Sequence, residues 1–308
     1  MKKIVVEKNK SGNRIDKFLK EEVFLNMETT RGEIIRNIKA EQILVNGKKI
    51  KPSYLLKEND EIEINILKKL TRITPNKNVI FEIIHEDESL IVLNKPAGLQ
   101  VHPSTKGEPD TLVEGLLYRF PEIKKVGDAP KVRPGIVHRL DRDTSGIMLV
   151  AKNQKTFLEL KDKFKNHEIE KVYWAIVYGH FSQKKGLIEK PLAKSTDYKK
   201  QIIAGEKTKT KVRSALTEYE VLKKIGKFSL LKVSLKTGRT HQIRIHLSSI
   251  GHPIVGDEKY KLKSIERNTA IQKQLLHAKH LAFSLFGKKH SYTAQLPEDF
   301  NRFLTKEQ

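Results

Sequence analysis

Val137-His138-Arg139-Leu140-Asp141-Arg142-Asp143-Thr144-Ser145-Gly146 runs directly into Ile147-Met148-Leu149-Val150. An aspartate in a short polar turn, bracketed by Arg139 and Arg142 and followed by an apolar run, reads as a carboxylate presented at the edge of a strand. Taken alone, Asp141 could equally be a salt-bridge partner of either arginine. Downstream, a strand over 147–151 gives way to a helix carrying Phe157, Leu160 and Phe164 at i, i+3 and i+7. The β-branched and aromatic stretch Lys171-Val172-Tyr173-Trp174-Ala175-Ile176-Val177-Tyr178 then stops at Gly179. Upstream, Phe81–His85 and Leu90–Asn94 form a hairpin around the acidic turn Glu86-Asp87-Glu88-Ser89. Lys95-Pro96-Ala97-Gly98 ends its second strand, since proline cannot supply the next ladder donor, and Val101-His102-Pro103 follows in a loop.

Beyond Gly179 the segment 184–213 holds ten Lys or Arg against three acids and reads as a basic, partly irregular arm. Ala215–Leu222 and Phe228–Leu235 form a further hairpin. In Thr237-Gly238-Arg239-Thr240-His241-Gln242-Ile243-Arg244-Ile245-His246-Leu247, Thr240 is a candidate N-cap. Ile243, Leu247 and Ile250 mark one helical face, and Gly251 is the stop. Arg244 sits one position past an apolar anchor and can leave the core at its edge, while the helix start offers backbone amides to an anion. Helices alternating with hairpins imply an α+β fold on a central, largely antiparallel mixed β-sheet flanked by helices and loops.

The first 67 residues read as a separate α-then-β unit. Ile15, Phe18, Leu19 and Val23 share one helical face. Thr30 with Glu33 forms a capping-box pattern ahead of Ile34, Ile35 and Ile38. Asn46-Gly47 between apolar runs signals a tight hairpin turn, and Glu61–Ile66 alternates as a closing strand. Residues 68–78 lack periodicity and read as a linker, which places a small domain at 1–67 and a large one at 79–308.

Sixty Lys or Arg against 37 Asp or Glu leave a formal charge of +23 across 308 residues, which points first to polyanions, above all nucleic acid. Without cysteine there are no disulfides or thiolate metal sites. Charge interrupts the N-terminal run before a signal core develops, and no later run is long enough to span a bilayer, so a cytoplasmic protein without membrane partners is expected. His241 and His246, five apart, fit neither a helical zinc pair nor alternate strand positions, so no metal is expected. His-Arg-Leu-Asp lacks the order and context of a kinase catalytic loop, and Asp257 stands where a Walker loop would need lysine. No cofactor is implied.

Arg14–Leu19, Thr30-Arg31, Leu44–Ile50 and Asn59–Ile62 together resemble the small S4-like RNA-binding domain. Ala40 replaces a usual glycine. Leu93–Pro103, His138–Gly146, Thr237–Leu247 and Gly251–Asp257 together resemble the RluA-type pseudouridine synthases over 81–300, nearly the whole second domain. The resemblance implies a pseudouridine synthase catalytic domain behind an S4-like domain. It also implies that Asp141 is the essential aspartate, that Tyr173 stacks on the target uracil, and that Arg244 pairs with the aspartate. Arg139 is implied to enter the RNA stack where the base is extruded. Arg142, His102 and Arg239 are expected to meet RNA near the site, and Arg31, Arg36, Lys48 and Lys49 to face RNA phosphates from the small domain. The expected substrate is structured RNA, 23S ribosomal RNA first and transfer RNA second, acted on by a monomer. A non-catalytic RNA-binding or ribosome-assembly factor is the rival reading.

Overall fold

The computed structural model of the chain describes residues 2–24, 31–65, 73–103, 109–196, 200–265 and 271–306, and these form two compact units, Met1–Leu70 and Thr71–Gln308. In the first unit β1 (Lys2–Val5) precedes α1 (Ile15–Phe18), which continues as a wider turn through Val23. Then come α2 (Arg31–Lys39), β2 (Ile43–Val45) and β3 (Glu61–Ile64). The sheet runs β1-β3-β2, antiparallel throughout. Ile15, Leu19, Ile34, Ile43 and Ile62 are fully buried between it and the helices. Asn46 and Gly47 both take positive φ in a two-residue turn closed by Val45 and Lys48. The chain beyond that turn pairs with β2 only through the Val45–Lys48 bridge, and β3 is the partner of β2 instead. β1 was not foreseen, because charge breaks its alternation. The capping residue Thr30 lies outside the described residues.

The second unit begins earlier than the expected boundary. Of the linker expected at 68–78, residues 68–72 lie outside the described residues, whereas 73–78 are packed: Ile73 joins an apolar cluster, and Asn76 donates its side-chain amide to Asp110 at 2.6 Å. The elements that follow are β4 (Glu82–Glu86), β5 (Leu90–Lys95), α3 (Leu112–Arg119), β6 (Ser145–Ala151), α4 (Gln154–Lys165) and β7 (Glu170–Tyr178). β8 (Lys185–Glu189), β9 (Leu192–Lys194) and β10 (Gln201–Ile203) show that the basic segment is more regular than expected, with β9 and β10 pairing as a small sheet of their own. β11 (Leu216–Ile225), β12 (Phe228–Leu235), α5 (Gln242–Ser249), β13 (Leu276–Leu285), β14 (Lys288–Thr293) and α6 (Glu298–Lys306) complete the unit.

The main sheet runs β4-β5-β6-β13-β7-β12-β11-β8, with β14 on β13. All pairs are antiparallel except β6 with β13, which run parallel over His277–Ser145 and Ala278–Gly146. The expected α+β class with a largely antiparallel mixed sheet holds. Leu90 to Leu93 and all of β6 are buried on both faces, hence unbroken apolar runs in place of alternation. On one face Ile91 and Leu93 meet α3, and Ala175 and Val177 meet α5. On the other, Leu90 and Val92 meet α4, and Trp174 and Ile176 meet α6. Tyr173 belongs to both clusters of the first face and so sits at their seam. No helix among the described residues is long and apolar enough to cross a membrane.

Candidate active site

The turn that carries Asp141 is fastened from four sides. The Asp141 carbonyl accepts from the Thr144 amide at 3.1 Å, which closes the turn. Lys95, fully buried at the end of β5, donates its ammonium to the carbonyls of Pro96, Leu99 and Arg142 at 2.8–2.9 Å. The Gly98 amide also reaches the Arg142 carbonyl. On the far side Gln274 bonds the Thr144 hydroxyl, and Ser145 bonds His277 Nδ1 at 2.9 Å. Gly146 then lets β6 approach β13 closely, since a Cβ there would collide with the Ala278 backbone. The aspartate's position is therefore set by buried polar groups, not by its own charge pairs alone.

Those charge pairs come from α5 and the loop after it. Asp257, buried, takes Arg244 Nε and Nη2 at 2.7 and 2.9 Å, and its Oδ1 also accepts the amides of Lys259 and Tyr260. This fork fixes the guanidinium in its plane and leaves Nη1, which donates to Asp141 Oδ2 at 2.9 Å. Burial opposes the charge on Arg244, but Asp257 and then Asp141 outweigh it and hold its pKa above the ordinary value. Arg244 is thus enclosed instead of leaving the core. Tyr260 closes the other side, its ring 5.2 Å from the guanidinium carbon and its hydroxyl 2.7 Å from His241 Nδ1. His241 Nε2 faces Asp141 Oδ1 at 3.8 Å, and burial lowers the imidazole's pKa against the pull of Asp141.

α5 starts one residue later than expected. His241 occupies the left-handed region at φ 57°, where a capping residue would be extended. Thr240 makes no cap; the Gln242 side chain accepts from the Arg239 amide and the Thr237 hydroxyl instead. The Arg239 amide is therefore occupied.

Asp141 opens into a cavity of about 160 Å³ shared with Arg139, Tyr173, Arg239, His241 and Arg244. That is below the roughly 300–1,000 Å³ of pockets for drug-sized ligands, and it suits one planar base. Asp141 is the single acid among its described lining residues. Tyr173 lies on this face of β7, whereas Tyr178, five positions on, points to the other and packs on Phe228. Burial, and then the charge of Asp141, raise the Tyr173 phenol, so it presents a neutral ring.

The other expected residues divide. Arg139 and Arg239 line the cavity. Arg142 is exposed beside Asp143 at 3.3 Å, and its backbone carbonyl, not its side chain, is what the site holds. His102 is not among the cavity's described lining residues, and burial draws its pKa down to about 4. In the first unit Arg31 is half committed to the buried Asp16, which it reaches at 2.9 Å. Arg36 lies 3.8 Å from Glu33 and Lys49 lies 2.7 Å from Glu41, while Lys48 has no carboxylate partner among the described residues. No cluster of metal-binding side chains occurs among the described residues; His246 is spent on Thr217 and the Lys190 carbonyl. Sequence reading passed over Lys95 and Asp257 as site residues. Their signals were a lysine immediately before proline at a strand end and an aspartate closing the run from Gly251.

Lys95 carries its charge against burial, which draws its pKa down to about 7, while Asp143 and Asp141 pull it up. Three acceptors also favour the ammonium, because a neutral amine has fewer hydrogens than there are oxygens. Lys95→Met is expected to strand three carbonyls at roughly 1–3 kcal/mol each, offset in part by removing a buried charge. Melting temperature and turnover should both fall; unchanged turnover would show that the Asp141 turn needs no such tether. Separately, burial pushes His138 down to about 3 and His277 to about 4 from an ordinary 6.5. His138 Nε2 accepts the Leu149 amide, which requires the neutral ring. Between those values the unfolded chain binds protons that the folded chain refuses, so stability is lost as pH falls from about 6.5 toward 4. Thermal melts should show this slope, reduced in His277→Gln; a flat profile would count against it.

A family model of RNA pseudouridylate synthase matches residues 89–249, and one of the S4 domain matches 13–62. An RNA pseudouridine synthase of Chlorobaculum parvum is 36% identical, covering 98% of this chain and 96% of its own. Ribosomal large subunit pseudouridine synthase D of Borreliella burgdorferi is 41% identical over 78% of this chain and 72% of its own. Among solved structures, human RNA pseudouridylate synthase domain containing 1 aligns at a TM-score of 0.61 with 26% identity, covering 72% of this chain and 85% of that one. The chain belongs to the RNA pseudouridylate synthase family, in its RluA-type branch with an S4 domain.

Proposed function

We propose that this RNA pseudouridine synthase isomerises specific uridines of large-subunit ribosomal RNA at the Asp141 cavity, after the target base has been flipped out of its stack. The observation that carries the reading is a single carboxylate, held by one nitrogen of an arginine whose other two are fixed by Asp257, in a cavity sized for one base. The N1–C1′ bond of uridine breaks, the base turns, C5 bonds to C1′, and the C5 hydrogen leaves as a proton while N1 gains one. Asp141 is the charged group for this exchange, and Arg244 keeps it aimed. Tyr173 stacks on the uracil, and Arg139 at the exposed rim fills the gap left in the RNA, together offsetting a few kcal/mol of unstacking. Arg142, His102 and Arg239 lie toward the RNA strand, and the S4 domain adds backbone contacts through Lys48 and the outer edges of Arg31, Arg36 and Lys49.

Ribosomal RNA is favoured over transfer RNA by relatives named ribosomal large subunit pseudouridine synthase D. Chemical mapping of pseudouridine in total RNA from cells with and without the protein tests the assignment. Loss of one or more sites in large-subunit RNA is expected. Loss confined to transfer RNA would overturn the substrate, and loss nowhere would favour a non-catalytic RNA-binding role.

A further inference from the structure

A second, larger cavity of about 390 Å³ adjoins the first, and Gly238, Arg239 and Thr240 line both. Its back wall is β9, where Leu192 and Ala193 are almost wholly buried. Gln201 of β10 stands beside them, its backbone amide spent on the Tyr260 hydroxyl and its side-chain amide without a hydrogen bond among the described residues. The rim carries Lys211 and Arg213, both exposed, and no carboxylate among the described residues pairs with either. None of the cavity's described lining residues is acidic. Its volume is within the range of pockets for small organic ligands, more than a phosphate alone would fill.

We propose that this cavity is a subsite for the nucleotide next to the target uridine on the same strand. Its phosphate lies against Lys211 and Arg213, and Gln201 reads the edge of its base. Three observations combine here: Lys211 and Arg213 without a carboxylate partner among the described residues, an unspent side-chain amide beside them, and a shared wall that lets consecutive nucleotides occupy both cavities. Phosphate contacts fix register while base-edge contacts carry sequence information, so the subsite makes site choice depend on that neighbour. The proposal rests on the reading of the Asp141 cavity as the uridine site.

The test uses the full chain and a series of otherwise identical RNAs containing the mapped uridine, each with one methylphosphonate within two linkages of it. The double variant Lys211→Gln with Arg213→Gln is expected to raise KM about tenfold, with the loss falling on KM and not on kcat. For one methylphosphonate RNA, which the wild type itself binds about tenfold more weakly, that difference should vanish. Gln201→Ala should flatten the preference for base identity at the same neighbour and nowhere else. An unchanged KM, or an equal penalty at every linkage, would overturn the subsite and leave only a diffuse field. Failure of the wild type to turn over the unmodified RNA would instead overturn the parent reading, and this one with it.

Discussion

Asp141→Asn is expected to lower turnover by on the order of 10³–10⁴-fold while the protein folds and binds RNA as before. Asparagine keeps the size of the side chain and an oxygen for Arg244 Nη1, so the hydrogen bond at 2.9 Å can persist. The side chain is 18% exposed and its turn is fastened by Lys95, Gly98 and Gln274, so little stability rests on its charge. Removing a negative charge beside a polyanion can only help association, so the RNA dissociation constant should stay within about threefold, in the direction of tighter binding. Turnover, affinity and melting temperature measured on one preparation separate the cases. A variant that loses folding along with activity would mark Asp141 as structural; one that keeps activity would remove it from the chemistry.

Arg244→Met is expected to produce the largest loss of stability of any single change at the site. It leaves Asp257, 3% exposed, with the Lys259 and Tyr260 amides but no cation, at a cost of about 3–5 kcal/mol. With roughly 2–4 °C per kcal/mol for a domain of this size, the melting temperature should fall by on the order of 10 °C. Turnover should fall as well, since Asp141 loses the group that aims it. Asp257→Leu is expected to destabilise as well, to a smaller extent, because the buried Arg244 keeps only Asp141 as a counter-ion. The combination Arg244→Met with Asp257→Leu should be less destabilised than the sum of the two, because no buried charge remains uncompensated. Recovery of stability without recovery of turnover is the expected signature. Strict additivity in the cycle would show that the two side chains do not depend on each other.

Much of the scaffold around the site was legible because local signals and burial agree there. The run 147–150 becomes β6 as read, and the acidic turn before Leu90 does join β4 to β5, because Asp87 accepts the amides of Ser89 and Leu90. Tyr173 and Tyr178 are an odd number of positions apart and must face opposite ways on one strand, but only the docking of α5 on one face of the sheet and α6 on the other decides which way fronts Asp141. What escaped the sequence depends on distant partners. β13 received no assignment, although it forms the parallel pair that brings His277 under Ser145. α3 was passed over despite a capping box of Thr111 and Glu114. Asp257 could not be recognised as the anchor of Arg244 until the chain between them had folded back to bring the two together. Thr240 does not cap α5, because His241 enters the helix from the left-handed region while the Gln242 side chain ties back to the Arg239 amide and the Thr237 hydroxyl.

The most direct test of the central claim is tritium release from C5-labelled uridine in large-subunit ribosomal RNA, followed in parallel for the wild-type protein and Asp141→Asn. Isomerisation must expel the C5 hydrogen, so the account predicts release by the wild type that is lost in the variant. No release by the wild type, or release that the variant sustains at the same rate, would contradict it.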